Sequence, residues 1–172
     1  MKSLTTDSFF NGRIKIKQSR SGYRFSIDAV LLASHVELRP KDTVVDLGTG
    51  CGIIPIMLAY QNPTVTFYGI EIQKALADIA ALNVKENHLA HQIHIIFGDM
   101  KTHATEVIPK PVDLVISNPP YRFAKSGRIN PNHQRAGARH EITVTLPEVV
   151  QTAQRMLRTC LLYTSPSPRD RS

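Results

Sequence analysis

The sequence predicts an α/β fold built on a doubly wound, mostly parallel sheet, and two features carry that prediction. From Thr43 onward, short apolar runs alternate with segments of helical period, the order of elements that covers a parallel sheet on both faces. The ends of the expected strands also carry polar chemistry. A glycine-rich turn follows the first, an acid ends the second and another the third, and Asn118-Pro119-Pro120-Tyr121 ends the fourth. Ligands of open α/β sheets bind at such carboxyl ends.

Taken in order, Arg13-Ile14-Lys15-Ile16-Lys17-Gln18 alternates polar with apolar residues, turns at Ser19-Arg20-Ser21-Gly22, and alternates again over Tyr23-Arg24-Phe25. The pattern predicts a β-hairpin of these two runs. Ser26 is a candidate N-cap for a helix through Val36 with Ile27, Val30 and Leu31 on one face, and Pro40 closes it. Residues 1–40 therefore form an N-terminal hairpin-and-helix unit ahead of a main domain over 41–159. Strands are expected at 43–47, 64–70, 92–97 and 112–117, with helices at 52–61 and 73–86 and a short one near 102–107. Arg122 to His140 has no periodicity and reads as a long loop. Helical period returns over 145–158, with Leu146, Val149, Val150, Ala153 and Leu157 on one side.

Composition sets outer limits. A chain of 172 residues, 42% hydrophobic and 20% charged, suits a folded globular domain rather than a disordered one. A formal charge of +7 favours a polyanionic partner. Cys51 and Cys160 make no disulfide framework. His88, His91 and His94 fall partly at a helix end and partly on a strand, so no metal is expected. The first seven residues lack the apolar core of a signal peptide and no apolar run is long enough to span a membrane, so a cytoplasmic protein with no membrane partner is expected. Nothing in the sequence sets an oligomeric state; a monomer is the working expectation.

Residues 160–172 stand apart. Cys-Leu-Leu-Tyr-Thr-Ser-Pro-Ser-Pro-Arg-Asp, beginning at Cys160, resembles a reading frame running through a sequencing adapter, and Pro166 and Pro168 cannot continue the preceding helix. Without Arg169, Asp170 and Arg171 the charge falls from +7 to +6, so the basic character does not depend on this tail. The domain is then expected to be truncated before its last strands. The open side of the 112–117 strand would be left bare, and the chain as it stands would be unstable and inactive.

Val44-Val45-Asp46-Leu47-Gly48-Thr49-Gly50-Cys51-Gly52 is a strand running into a glycine turn, where missing Cβ atoms let the backbone turn sharply and approach a ligand. A dinucleotide fingerprint needs a third glycine at position 53, which is isoleucine. Gly48, Gly50 and Gly52 instead resemble the turn of methyltransferases that bind S-adenosylmethionine (SAM). Asp46 would orient the turn. Glu71, at the second strand end, can accept ribose hydroxyls, and Asp99, after the third, can accept from the adenine amino group. A strand-end acid also serves as a helix cap.

Asn118-Pro119-Pro120-Tyr121 resembles the motif of enzymes that methylate planar amino or amide nitrogens. Two prolines end the ladder. The Asn118 amide oxygen and a proline carbonyl can then grip one amino group, beside the Tyr121 ring as a stacking surface. Two basic stretches flank the site: Arg13, Lys15, Lys17, Arg20 and Arg24, and Arg122, Lys125, Arg128, Arg135 and Arg139, ten of the 21 Lys and Arg residues. Neither stretch contains an acid, a pattern that fits a phosphate backbone or a solvated face. Arg13, Lys15, Lys17, Arg122, Lys125, Arg128, Arg135 and Arg139 are the candidate RNA contacts.

A closer resemblance follows from Asn11-Gly12-Arg13, the run from Gly22 to Ala33 (Gly-Tyr-Arg-Phe-Ser-Ile-Asp-Ala-Val-Leu-Leu-Ala), Ser126-Gly127-Arg128-Ile129-Asn130-Pro131-Asn132, and Ala138-Arg139-His140-Glu141. Over Thr6 to Thr159 the chain resembles the bacterial tRNA(Val) adenine-N6 methyltransferase family. The resemblance implies a Rossmann-like class I SAM-dependent methyltransferase, SAM as cofactor, tRNA as partner, and methylation of adenine-37 beside the anticodon of tRNA-Val. By position it brings Tyr23, Phe25 and Asp28 toward the cofactor. Two other readings stay open: a glutamine-N5 methyltransferase acting on a release factor, and a SAM- or RNA-binding fragment without turnover.

Overall fold

The computed structural model describes residues 3–20, 24–102, 106–118 and 145–157, together with the backbone of 162–164. Pro119, Pro120 and Tyr121, the whole second basic stretch, Tyr23 and Cys160 lie outside the described residues.

The elements run β1 (Leu4–Phe9), β2 (Ile14–Ser19), α1 (Ile27–His35), β3 (Thr43–Leu47), α2 (Ile53–Gln61), β4 (Thr66–Glu71), α3 (Lys74–Glu86), β5 (Ile93–Phe97), β6 (Leu114–Ser117), α4 (Leu146–Met156) and β7 (Leu162–Thr164). β1 and β2 form an antiparallel pair, and the remaining strands form one parallel sheet in the order β5-β4-β3-β6-β7. The chain builds outward from β3 through β4 to β5, then returns to the other side of β3 with β6. Strand order therefore reverses between β3 and β6, the crevice where such sheets take ligands.

Successive side chains of a strand point to opposite faces, and Val44 and Val45 accordingly enter two separate cores. One core joins Val44, Phe67, Leu114 and Ile116 to α1, α2, α3 and the hairpin's Ile14 and Ile16. The other joins Val45, Leu47, Ile70 and Val115 to Val149, Ala153 and Met156 of α4. α4 starts at a capping box in which the Thr145 N–H and hydroxyl both donate to a Glu148 oxygen at 2.9 Å. Its other end is tied back where Val112 N–H donates to Met156 O at 2.9 Å.

Three expectations are corrected. Arg24 and Phe25 form no strand beside β2, and Tyr23 lies outside the described residues. β2 pairs with β1, Phe9 opposite Ile14, through a turn in which Phe10, Asn11 and Gly12 have φ of 50°, 56° and 83°. Gly12 accepts that left-handed turn without a Cβ penalty, whereas the polar Thr-Thr-Asp-Ser of β1 hides its alternation. On α1, Ile27 and Leu31 are exposed and the buried residues are Ala29, Leu32 and Ala33, because small residues let α1 lie close on α2. Near 102–107, Thr102, Glu106 and Val107 are turn and bend residues, and 103–105 lie outside the described residues.

The edge of β6 expected to be bare is paired. β7 lies parallel beside it, Val115 opposite Leu162 and Ser117 opposite Thr164. The strand comes from the adapter-like tail, where Leu-Tyr-Thr has β propensity and meets unpaired backbone groups along β6.

Candidate functional site at the strand tips

Backbone hydrogen bonds place the four sequence signals side by side. Gly48 and Thr49 N–H groups both donate to Ile70 O, at 2.9 and 3.0 Å, and Gly98 N–H donates to Glu71 O at 3.0 Å. Leu47 lies opposite Ser117, whose hydroxyl donates to Leu47 O at 2.8 Å. Along the sheet edge the order is therefore Asp99, Glu71, Gly48, Asn118. Asn118, half-buried, directly follows Ser117, the partner of Leu47, and so leaves β6 at the strand reversal where the glycine turn leaves β3.

The turn after β3 requires glycine. Gly48 and Gly52 have φ of 77° and 83°, which residues with a Cβ rarely adopt. A Cβ on Gly48 would meet nothing within 4 Å among the described residues, so the turn is open there with respect to them, whereas at Gly52 it would touch Ala80 Cβ at 3.4 Å on α3. Gly50 N–H donates to a Glu71 oxygen at 3.0 Å.

Glu71 is buried, and its second oxygen accepts the Gln73 N–H at 2.8 Å. It thus clamps the glycine turn to the start of α3. Burial raises its pKa, while the N–H groups of Gln73 and Gly50 work in the opposite direction. Both oxygens keep further lone pairs for a hydroxyl donor. Asp99 accepts the Lys101 N–H at 2.9 Å, and the Lys101 ammonium reaches Glu148 at 3.3 Å, which joins the β5 tip to the start of α4.

Asp46 differs from both. It is 2% exposed, and neither its oxygens nor the Thr49 hydroxyl has a hydrogen-bond partner among the described residues. Burial pushes its pKa up to about 7; the Thr49 hydroxyl counters that rise without satisfying either oxygen, and Glu71's charge adds to it. An orphaned carboxylate next to a glycine turn fits a cationic donor group, which the ammonium of SAM would supply. Cys51 fills the core behind the turn, and burial pushes its thiol up to about 11, which keeps it protonated.

The first basic stretch is less basic in the fold than in the sequence. Lys17 pairs with Glu86 of α3 and Arg24 with Asp7 of β1, while the Arg13 guanidinium donates to the Tyr60 hydroxyl at 3.2 Å. Lys15 is exposed and has no ion-pair partner among the described residues. No three His, Cys, Asp or Glu side chains converge on a metal position among the described residues, and no described helix is long and apolar enough to cross a membrane.

Sequence reasoning passed over Gly69. It lies opposite Asp46, and a Cβ there would come within 2.9 Å of Thr49 Cγ2 and 3.0 Å of Ile95 Cδ1. A lone glycine inside a strand was the available signal for that close approach. Asn83 was also passed over: it is fully buried on the otherwise apolar face of α3.

A profile of the methyltransferase small domain family matches residues 21–158. A Porphyromonas gingivalis protein named tRNA1(Val) (adenine(37)-N6)-methyltransferase is 33% identical over 98% of this chain and 68% of its own length. A protein of the same name from a Flavobacteriaceae bacterium is 28% identical over 90% of this chain and 65% of its own length. The chain thus spans about two thirds of these curated relatives, and only 51% of a Proteus mirabilis protein of that name. Among solved structures, precorrin-6y C5,15-methyltransferase from Geobacter metallireducens aligns with TM-score 0.58 at 13% identity, covering 84% of this chain and 63% of that one. A SAM-dependent methyltransferase from Geobacter sulfurreducens, in complex with S-adenosyl-L-homocysteine, aligns with TM-score 0.52 at 18% identity, covering 78% and 45%. These structural likenesses speak for the Rossmann-like fold alone. With that fold, this order of strand-tip residues and a family profile over most of its length, the chain belongs to the methyltransferase small domain family.

Proposed function

We propose that this protein transfers a methyl group from SAM to the exocyclic N6 of an adenine in tRNA, adenine-37 beside the anticodon of tRNA-Val. The observation that carries the reading is the register of β3 and β6, which sets Asn118 next to the glycine turn at the strand reversal. The names of the relatives supply the acceptor.

SAM would bring a methyl group activated by its sulfonium. The Gly48, Gly50 and Gly52 turn would lie along its amino-acid end, with the unpartnered Asp46 carboxylate offering an acceptor for its ammonium. Glu71 would use its remaining lone pairs for the ribose hydroxyls and Asp99 would accept from the adenine amino group. On the acceptor side, the Asn118 amide oxygen and the Pro119 carbonyl would hold the N6 amino group. Fixed acceptors favour the positive charge that grows on that nitrogen, and alignment of the reacting atoms lowers the barrier further. Pro120 would fix the backbone and Tyr121 would stack on the extruded base. Arg13 and Lys15 would meet the phosphate backbone, with Arg122, Lys125, Arg128, Arg135 and Arg139 from the second stretch. Lys17 would join them only at the expense of its pairing with Glu86.

The test is incubation of the full-length protein with methyl-labelled SAM and either bulk tRNA or a release factor. Label in RNA at the N6 of one adenine is the expected result. Label in the release factor alone overturns the tRNA reading in favour of glutamine-N5 methylation. Binding of S-adenosyl-L-homocysteine with no label in either assigns a binding role without turnover.

A further inference from the structure

Among the described residues β2 has a strand partner on one side only. On its other side two asparagines, Asn83 of α3 and Asn87 at its C-cap, take the place of a strand. The Asn83 side-chain oxygen accepts the Lys17 N–H at 2.8 Å and its amide nitrogen donates to Lys17 O at 2.8 Å. Asn87 repeats the pattern on Lys15, at 2.9 and 2.8 Å. The spacing suits this exchange, since four residues of helix rise about 6 Å and two residues of strand about 6.7 Å. A side-chain amide can play both parts at once, offering an N–H and a carbonyl to the one acceptor and one donor of each backbone position.

The two asparagines then differ. Asn87 spends its second amide hydrogen on Asn83 O, inside its own helix, at 2.8 Å. Asn83, fully buried, donates its second to Cys51 O, inside the glycine turn, at 2.9 Å. One side chain therefore holds both the hairpin and the turn, with its donors and acceptor in use.

We propose that Asn83 is a positioning residue, whose amide locks the 48–52 turn to the N-terminal hairpin and so sets the shape in which that turn receives SAM. The proposal rests on the cofactor reading of the turn. Lys17 N–H and O are thereby tied to the same amide as Cys51 O, so displacement of β2 strains the turn directly. Asn87 supplies the internal control, because it makes the same two bonds to β2 and none to the turn.

The test compares Asn83→Asp with Asn87→Asp in the full 172-residue chain, below the melting transition of either. The aspartate keeps the acceptor and loses both donors. The first readout is the rate of iodoacetamide alkylation at Cys51, located by peptide mass spectrometry, which reports opening of the turn whether or not a ligand binds. Alkylation is expected to rise about tenfold in N83D and to stay within about twofold in N87D. The second readout is affinity for S-adenosyl-L-homocysteine. Relative to the unsubstituted chain at the same pH it should be about tenfold lower in N83D at pH 8, and that ratio should close toward pH 5, where protonation of the introduced carboxylate returns one donor. The ratio cancels the Asp46 titration shared by all three chains, and N87D should show no such change. Equal alkylation in the two variants overturns the lock. Raised alkylation with unchanged affinity overturns its role in cofactor binding. If the unsubstituted chain binds no S-adenosyl-L-homocysteine, the cofactor reading falls, and the alkylation comparison still decides whether Asn83 locks the turn. Should N83D fail to fold, Asn83→Ser, which keeps one donor, carries the same comparison.

Discussion

Asp46, one residue before the end of β3, and Glu71, at the end of neighbouring β4, are almost equally removed from water, 2% and 5% exposed, yet the fold treats them in opposite ways. Glu71 accepts two backbone N–H groups and fastens the glycine turn to α3. Asp46, opposite Gly69 in the sheet, has no partner among the described residues. A buried carboxylate with two N–H donors is part of the scaffold. One with none lowers the stability of the folded state until a ligand brings it a donor. The difference teaches that burial alone does not assign a role to a strand-tip acid; hydrogen-bond satisfaction does.

The largest effect expected from this contrast is at Glu71. Glu71→Ala leaves the buried Gly50 N–H without an acceptor and frees the partly buried Gln73 N–H, a loss of about 2–4 kcal/mol in urea unfolding. A loss under about 1 kcal/mol would erase the distinction between the two acids.

Asp46→Asn should act in the opposite direction, and its sign depends on pH. Asp46 has a folded-state pKa raised from 3.8 to about 7, so between these values the folded chain holds a proton that the unfolded chain has released. Its contribution is fully present below pH 4, is lost as the pH rises toward 7, and stays lost above. The substitution should leave stability at pH 4 little changed and raise it at pH 8, on the order of 2–4 kcal/mol. It should also abolish binding of S-adenosyl-L-homocysteine, and a variant that gained stability but kept its affinity would remove Asp46 from the cofactor site. Thermal melts at the two pH values, with calorimetric titration, provide the check.

Gly69→Ala forces a methyl group to within 2.9–3.0 Å of Thr49 and Ile95, so these side chains must shift. A cost of about 1–3 kcal/mol is expected in the same unfolding experiment. Thr49→Val is the mildest change. It removes an unpartnered hydroxyl at constant shape and should alter stability at pH 4 by less than about 1 kcal/mol. Because that hydroxyl holds down the Asp46 pKa, the pH at which stability stops falling should move above 7. No movement would mean that the two side chains do not interact.

Some of this was legible from the chain alone because it is local. The turn at Gly48, Gly50 and Gly52 needs φ values that glycine permits, and β3 occurs at Thr43–Leu47 as the apolar run predicts. Other features depend on residues distant in sequence. Lys17 reads as a free cation until α3 brings up Glu86, and Arg24 until β1 brings up Asp7. Ile27 and Leu31 look like the buried stripe of α1, but close contact with α2 selects Ala29 and Ala33. A polar strand such as β1 has too little alternation to be recognised without its partner.

By itself, the sequence determined the alternation of strands and helices, the glycine turn, and which residue types stand at the strand ends, since backbone conformation and hydrophobic period act over a few neighbouring residues. Tertiary structure decided that β6 returns to the far side of β3, that Asn118 lies beside Gly48, and that Glu71 is bonded while Asp46 is not. Those outcomes depend on which segments become neighbours in space, and hydrogen bonding and desolvation act on a side chain only through such neighbours.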